Sequence, residues 1–204
     1  MFEISVSEPV ADELAKLYGE GGIILEYGTG GSTFLALESN QNNIVYGCET
    51  DPEWLSRLSS EVGVRQLNDR FIPVYQYIGK TTKFGNPCFE TQVHDDKRGR
   101  LFATAPISPW NLLATHGVSP DFILIDGRFR VASFLASFFN VTKPCTVIFD
   151  DYITRPNYQV VESLAEPSRF VDNAAIFDLV PNTDLAVNGK SFLDFYAMCA
   201  SSFS

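Results

Sequence analysis

Two groups of residues in this 204-residue chain have the types and spacing to do chemistry. The first is Glu26-Tyr27-Gly28-Thr29-Gly30-Gly31-Ser32, which directly follows the apolar run Ile23-Ile24-Leu25 and opens a helical pattern. Gly28 and Gly30 carry no Cβ, so the backbone there can turn sharply and lie against a ligand. The amides that follow, at a helix N-terminus, can bind a carboxylate. Glu49 ends the next apolar run, and a carboxylate at that place can accept both hydroxyls of a ribose.

The second group is Asp126, Asp150 and Asp151, at the ends of the runs DFILID and CTVIFDD. In a doubly wound sheet the C-terminal ends of neighbouring strands open into one crevice, so the three carboxylates could converge. Without a cation they would repel one another and hold protons more tightly. Mg²⁺ or a similar hard cation would relieve that, and oxygen ligands suit it. The alternative is ordinary: strand-end aspartates bond to loop amides or pair with nearby arginines, Asp151 with Arg155 and Asp126 with Arg128 or Arg130.

These groups need strands that end where the chemistry begins. Ser7-Glu8-Pro9 reads as a serine-capped helix start, and Gly21-Gly22 as its end. Strands are expected over 22–27, 43–49, 71–78, 121–126 and 145–149, with helices over 32–39, 52–62, 107–117, 131–140 and 156–166. From Gly79 to about Ala105 no helical or strand period is visible, which marks a functional loop or lid inserted in a single domain spanning 1–204. Near the end, AAIFDLV and SFLDFYAM are joined by PNTDLAVNGK, too short for a crossover helix, so they should pair antiparallel. The expected fold is α/β: three layers around a doubly wound, mostly parallel seven-stranded sheet with an antiparallel C-terminal strand.

ILEYGTGGST together with YGCETDPEWL resembles the first two motifs of class I S-adenosylmethionine-dependent methyltransferases, and the order of elements extends the resemblance over residues 22 to 198. The resemblance implies that Glu26 lies near the amino group of the methionine moiety. It also implies that the loop Gly28, Thr29, Gly30, Gly31 and Ser32 contacts the cofactor, that Glu49 holds the ribose, and that Asp126 borders the same site. Members often carry an acid near the adenine after the third strand; here Tyr77-Ile78-Gly79-Lys80 has none. The aspartate trio is similar to that of the divalent-metal O-methyltransferases, which implies a metal held by Asp126, Asp150 and Asp151 and a substrate hydroxyl activated by it. DGRFR and DDYITRPNY also resemble bacterial methyltransferase-like proteins, and YQYIGKT resembles polysaccharide-modifying members. Two alternatives accompany this reading. One is a chain that keeps the cofactor without catalysis. The other is an NAD-linked oxidoreductase, which Thr33 disfavours because it stands where the dinucleotide fingerprint has its third glycine.

Composition narrows the partners. The net charge is −10, which argues against nucleic acid. Residues 64–149 nonetheless carry ten basic residues against six acidic ones, including Lys80, Lys83, Lys97, Arg98, Arg100, Arg128 and Arg130. The expected acceptor is therefore a small molecule or sugar hydroxyl bearing carboxylate, phosphate or uronate groups. No run approaches the roughly 20 apolar residues that cross a bilayer. The first residues lack the charge and apolar core of a secretion signal, so a cytoplasmic location is expected. Cys48, Cys88, Cys145 and Cys199 are scattered and read as free, mostly buried thiols. His94 reads as a loop histidine and a candidate base, His116 as a helix C-terminal residue, and Trp110 with Phe134, Leu135 and Phe138 as core.

Overall fold

The computed structural model describes residues 2–88 and 95–182. The chain runs α1 (Glu8–Gly19), β1 (Ile23–Tyr27), α2 (Gly31–Ser39), β2 (Ile44–Glu49), α3 (Pro52–Val64), β3 (Phe71–Tyr75), β4 (Thr81–Thr82), β5 (Asn86–Pro87), α4 (Asp95–Thr104), α5 (Ser108–His116), β6 (Phe122–Ile125), α6 (Arg130–Asn140), β7 (Cys145–Phe149), β8 (Arg169–Val171) and β9 (Ala174–Leu179). One sheet has the order β3-β2-β1-β6-β7-β9-β8. Its pairs are parallel as far as β7, and β9 is antiparallel to both β7 and β8.

The strands bury both faces, and alternate residues divide between two cores. Leu25, Tyr27, Ile123, Ile125, Val147 and Phe149 pack with Trp110, Leu113 and Phe134 on one side. Ile24, Val45, Leu124 and Ile148 pack with Leu14, Leu37 and Leu58 on the other. Trp110 finds the partner a buried indole needs, donating to Tyr27 Oη at 2.8 Å, while Tyr27 donates to the Pro106 carbonyl at 2.7 Å. These bonds clamp β1 to the segment before α5.

Several local expectations are corrected. Ser7 stands at the N-cap of α1 in extended conformation, yet its hydroxyl makes no cap bond and is buried without a partner. Asp51 does cap α3, accepting from the amides of Glu53 and Trp54 at 2.9 and 3.1 Å. Strand β3 stops at Tyr75, and 156–163 winds as a 3₁₀ helix. The antiparallel strand is present: Ala174–Leu179 pairs with β7 and, over Ala174–Ile176, with Arg169–Val171, while its expected partner 191–198 lies outside the described residues. Within 79–105, where the letters show no period, the chain forms the β4–β5 hairpin and α4. A two-residue strand pair is too short to display alternation, and α4 is too polar to show an apolar stripe. His94 and Cys199 lie outside the described residues. Among those described, no helix is long and apolar enough to cross a membrane.

Candidate active site

The glycine turn sits between β1 and α2. Gly28 has φ +95°, and a Cβ on it would meet the Gly127 nitrogen at 2.6 Å. Its bareness therefore serves both a left-handed backbone and close packing on the loop after β6. Gly30 differs: the nearest atom to a Cβ there is Trp54 Cζ2 at 3.9 Å, an ordinary contact that leaves room for a methyl group. Gly31 is covered by the protein itself, since a Cβ would meet the backbone of Glu3 and Ile4 at 2.4 Å. The segment that covers it is anchored by Phe2, whose ring meets Trp54 edge-on at 4.8 Å and Phe34 at 5.7 Å.

Glu26 is fully buried beneath the turn. Thr33 Oγ1 donates to Glu26 Oε2 at 2.6 Å and accepts from the Gly30 amide at 3.1 Å. Thr33 thus links the acid to the loop, a role no glycine could fill. Burial pushes the Glu26 carboxyl up to about 7, against the opposing pull of the Thr33 and Ser32 hydroxyls. Glu26 Oε1 is buried without a hydrogen-bond partner.

Glu49 ends β2 half-buried, and its two oxygens have different work. Oε1 accepts from the amides of Thr50 and Asp51 at 2.7 and 3.0 Å. Oε2 lies beside the glycine turn, 3.5 Å from Thr29 Oγ1. Burial raises its pKa, and the Asp51, Thr50 and Thr29 amides pull the other way. The β4–β5 hairpin closes over this corner: Thr50 Oγ1 donates to the Gly85 carbonyl at 3.0 Å, and Arg128 Nε reaches from the β6–α6 loop to the Phe84 carbonyl at 3.0 Å. Burial, and then the nearby Arg130, lower the Arg128 pKa. On the far side of the hairpin a groove of about 600 Å³ is lined by Asp51, Tyr75, Tyr77, Lys80 and Lys83.

Asp126, Asp150 and Asp151 do converge, and a guanidinium stands among them. Arg130, the first residue of α6, reaches Asp126 Oδ1 at 2.9 Å, Asp151 Oδ2 at 3.2 Å and Asp150 Oδ2 at 3.5 Å. It also donates to the backbone carbonyls of Asp150 at 2.7 Å and Gly127 at 3.1 Å. Arg155 adds a second cation at 3.0 Å from Asp151 Oδ2. Arg130 thus engages one oxygen of each carboxylate in the expected metal set, while Asp150 Oδ1 is buried without a hydrogen-bond partner. Among the described residues no group of three acids, histidines or cysteines is arranged to hold an ion. Burial, with Asp126 alongside, pushes the Asp150 carboxyl well above the usual range. Ser5 Oγ donates to Asp126 Oδ2 at 3.2 Å.

The sheet order is the decisive observation, with an antiparallel strand slotted between the fifth parallel strand and the last, and a glycine turn after the first. The fold is that of the class I, Rossmann-like methyltransferases. The chain superposes on a methyltransferase-like protein from Silicibacter pomeroyi with a TM-score of 0.80 and 29% identity, covering 96% of this chain and 97% of that one. An O-methyltransferase from Bacillus cereus, in complex with SAH, shares the fold at 17% identity and a TM-score of 0.54 over 86% and 82% of the two chains. The tomaymycin-synthesis O-methyltransferase of Streptomyces achromogenes, in complex with SAM, does so at 14% and 0.56 over 87% and 82%. No protein-family model and no curated protein matches the sequence.

The letters missed several residues that build the candidate site. Gly127, Ser5 and the Phe84 carbonyl act through backbone or long-range contacts that leave no motif. Arg130 did leave a signal, standing four residues after Asp126 at a helix start, but as a simple pair rather than the hub of three carboxylates.

Proposed function

We propose that the chain is an S-adenosylmethionine-dependent methyltransferase acting on a hydroxyl of a small, anionic acceptor. The carrying observation is Glu49 at the end of β2, whose Oε1 is pinned by the Thr50 and Asp51 amides while Oε2 lies beside Thr29 of the glycine turn. A half-buried carboxylate at the end of the second strand is matched by ribose hydroxyls. Glu26 Oε1, buried without a well-formed hydrogen bond although the Tyr18 hydroxyl is near, suits an amino group. The donor set present therefore suits the cofactor. In this reading Thr29, Gly30 and Ser32 line the cofactor while Gly28 and Gly31 shape the turn.

When bound, the cofactor supplies an electrophilic methyl group on a sulfonium. Asp126 would take the proton of the acceptor hydroxyl, readying that oxygen to receive the methyl group the cofactor would supply. The Ser5 hydroxyl on Asp126 Oδ2 marks a position from which a hydroxyl can deliver that proton. Arg128, half-buried at the mouth, supplies charge for an anionic acceptor. Buried free thiols at Cys48, Cys88 and Cys145 agree with a reducing cytoplasm.

A calorimetric titration with S-adenosylmethionine, S-adenosylhomocysteine and NAD tests the reading. The first two should bind and NAD should not; Glu49→Gln, which keeps the amide acceptor, should weaken binding about 10-fold or more. Binding of NAD in place of the others, or no effect of the Gln variant, overturns it. A second reading, a chain that binds the cofactor without catalysis, draws on the cover of Glu3–Ile4 over Gly31 and of Ser5 on Asp126. Release of S-adenosylhomocysteine with any member of a panel of hydroxylated uronates, sugar phosphates and phenolic acids ends that second reading.

A further inference from the structure

We infer that Arg130 is a positioning residue that does the work of a fixed divalent cation in this site, so that methyl transfer here needs no metal. The inference rests on the methyltransferase reading and concerns the acidic end of the same cleft.

Three carboxylates gathered at adjacent strand ends require positive charge, and the geometry shows its source. Side chains of all three lie within 3.5 Å of one guanidinium that is 9% exposed. The two backbone carbonyls fix the remaining freedom of that group, Gly127 through Nε and Asp150 through Nη1. A planar fork with five donors can hold several acceptors at set angles, which a lysine cannot do. Because Gly127 also packs on Gly28, Arg130 is tied by one residue to the cofactor turn. Asp126 is therefore held on its Oδ1 side by Arg130 and presents Oδ2 to the side of Ser5, where a hydroxyl arrives. An ion at this place would have to displace Arg130 from a buried position and leave its charge unpaired, which is costly.

The test is Mn²⁺ titration of the full chain followed by electron paramagnetic resonance, with S-adenosylhomocysteine calorimetry run on each variant. Wild-type protein should show no saturable Mn²⁺ site, and turnover should be unchanged by a chelator. Arg130→Gln should gain one Mn²⁺ site, lost again in the Arg130→Gln, Asp150→Asn double variant. Should Arg130→Gln not fold, Arg130→Lys serves: it keeps one charge, loses the fork, and should lower kcat about 10-fold or more with little change in KM. Saturable Mn²⁺ binding by wild-type protein that Asp126→Asn abolishes overturns the inference. So does a folded Arg130→Gln protein that gains no Mn²⁺, or an Arg130→Lys protein with wild-type kcat. Loss of S-adenosylhomocysteine binding by the wild type would instead count against the methyltransferase reading, and the Mn²⁺ result would still report on Arg130.

Discussion

Gly28 and Gly127 lie backbone against backbone, each leaving no room for a Cβ on the other: 2.6 Å to the Gly127 nitrogen from one side and 2.8 Å to the Gly28 nitrogen from the other. This contact joins the turn that faces the cofactor to the loop that carries Asp126. Gly127→Ala keeps an ordinary backbone conformation, so its cost is steric alone. It should destabilise the protein by about 2 kcal/mol, or roughly 4–8 °C in Tm, and weaken S-adenosylhomocysteine binding at the same time. Differential scanning fluorimetry and calorimetry on one preparation check both.

Glu26 gives the protein a pH-dependent stability. Its folded-state carboxyl sits at about 7 against an ordinary 4.5, so the native chain holds a proton that the unfolded chain has already released. Stability should fall as pH rises from about 4.5 to about 7, by up to about 3 kcal/mol, and stay level above that. Glu26→Gln should flatten this slope. Urea denaturation at several pH values measures it, and a slope unchanged in the variant would remove Glu26 as its source.

Gly31→Ala should lift the N-terminal segment from the turn, because the new methyl meets Glu3 and Ile4 backbone at 2.4 Å. Hydrogen exchange should then show faster exchange of the amides of residues 3–6, with the core strands unaffected.

Arg128→Ala should raise the KM of an anionic acceptor about 10-fold while leaving kcat within about 2-fold, since a positioning charge at the mouth contributes to ground and transition states alike. A kinetic comparison with a neutral analogue of the same acceptor checks that the effect follows the charge.

The parallel half of the fold was legible because buried strands announce themselves as apolar runs ending in Gly or Asp, as at Tyr27-Gly28 and Ile125-Asp126. The antiparallel strand Ala174–Leu179 was legible too, but not its partner Arg169–Val171, whose three half-exposed residues carry no pattern. The turn and Glu49 could be found from spacing, whereas the different uses of the three loop glycines could not, since each depends on which distant backbone lies above it. The convergence of three carboxylates was readable from topology. Which cation they gathered around was not, since that turns on where the Arg130 side chain points.

Phe84 adopts φ 62°, ψ 30° at the hairpin tip, a conformation a bulky residue enters only when something holds it there. The hold is Arg128 on its carbonyl, while its ring stays largely in water. Positions 84 and 128 are thereby yoked through main chain rather than side chain. Across related sequences, loss of the arginine should travel with a glycine or asparagine at the tip, and a pairwise pattern of that kind would betray the bridge without any coordinates.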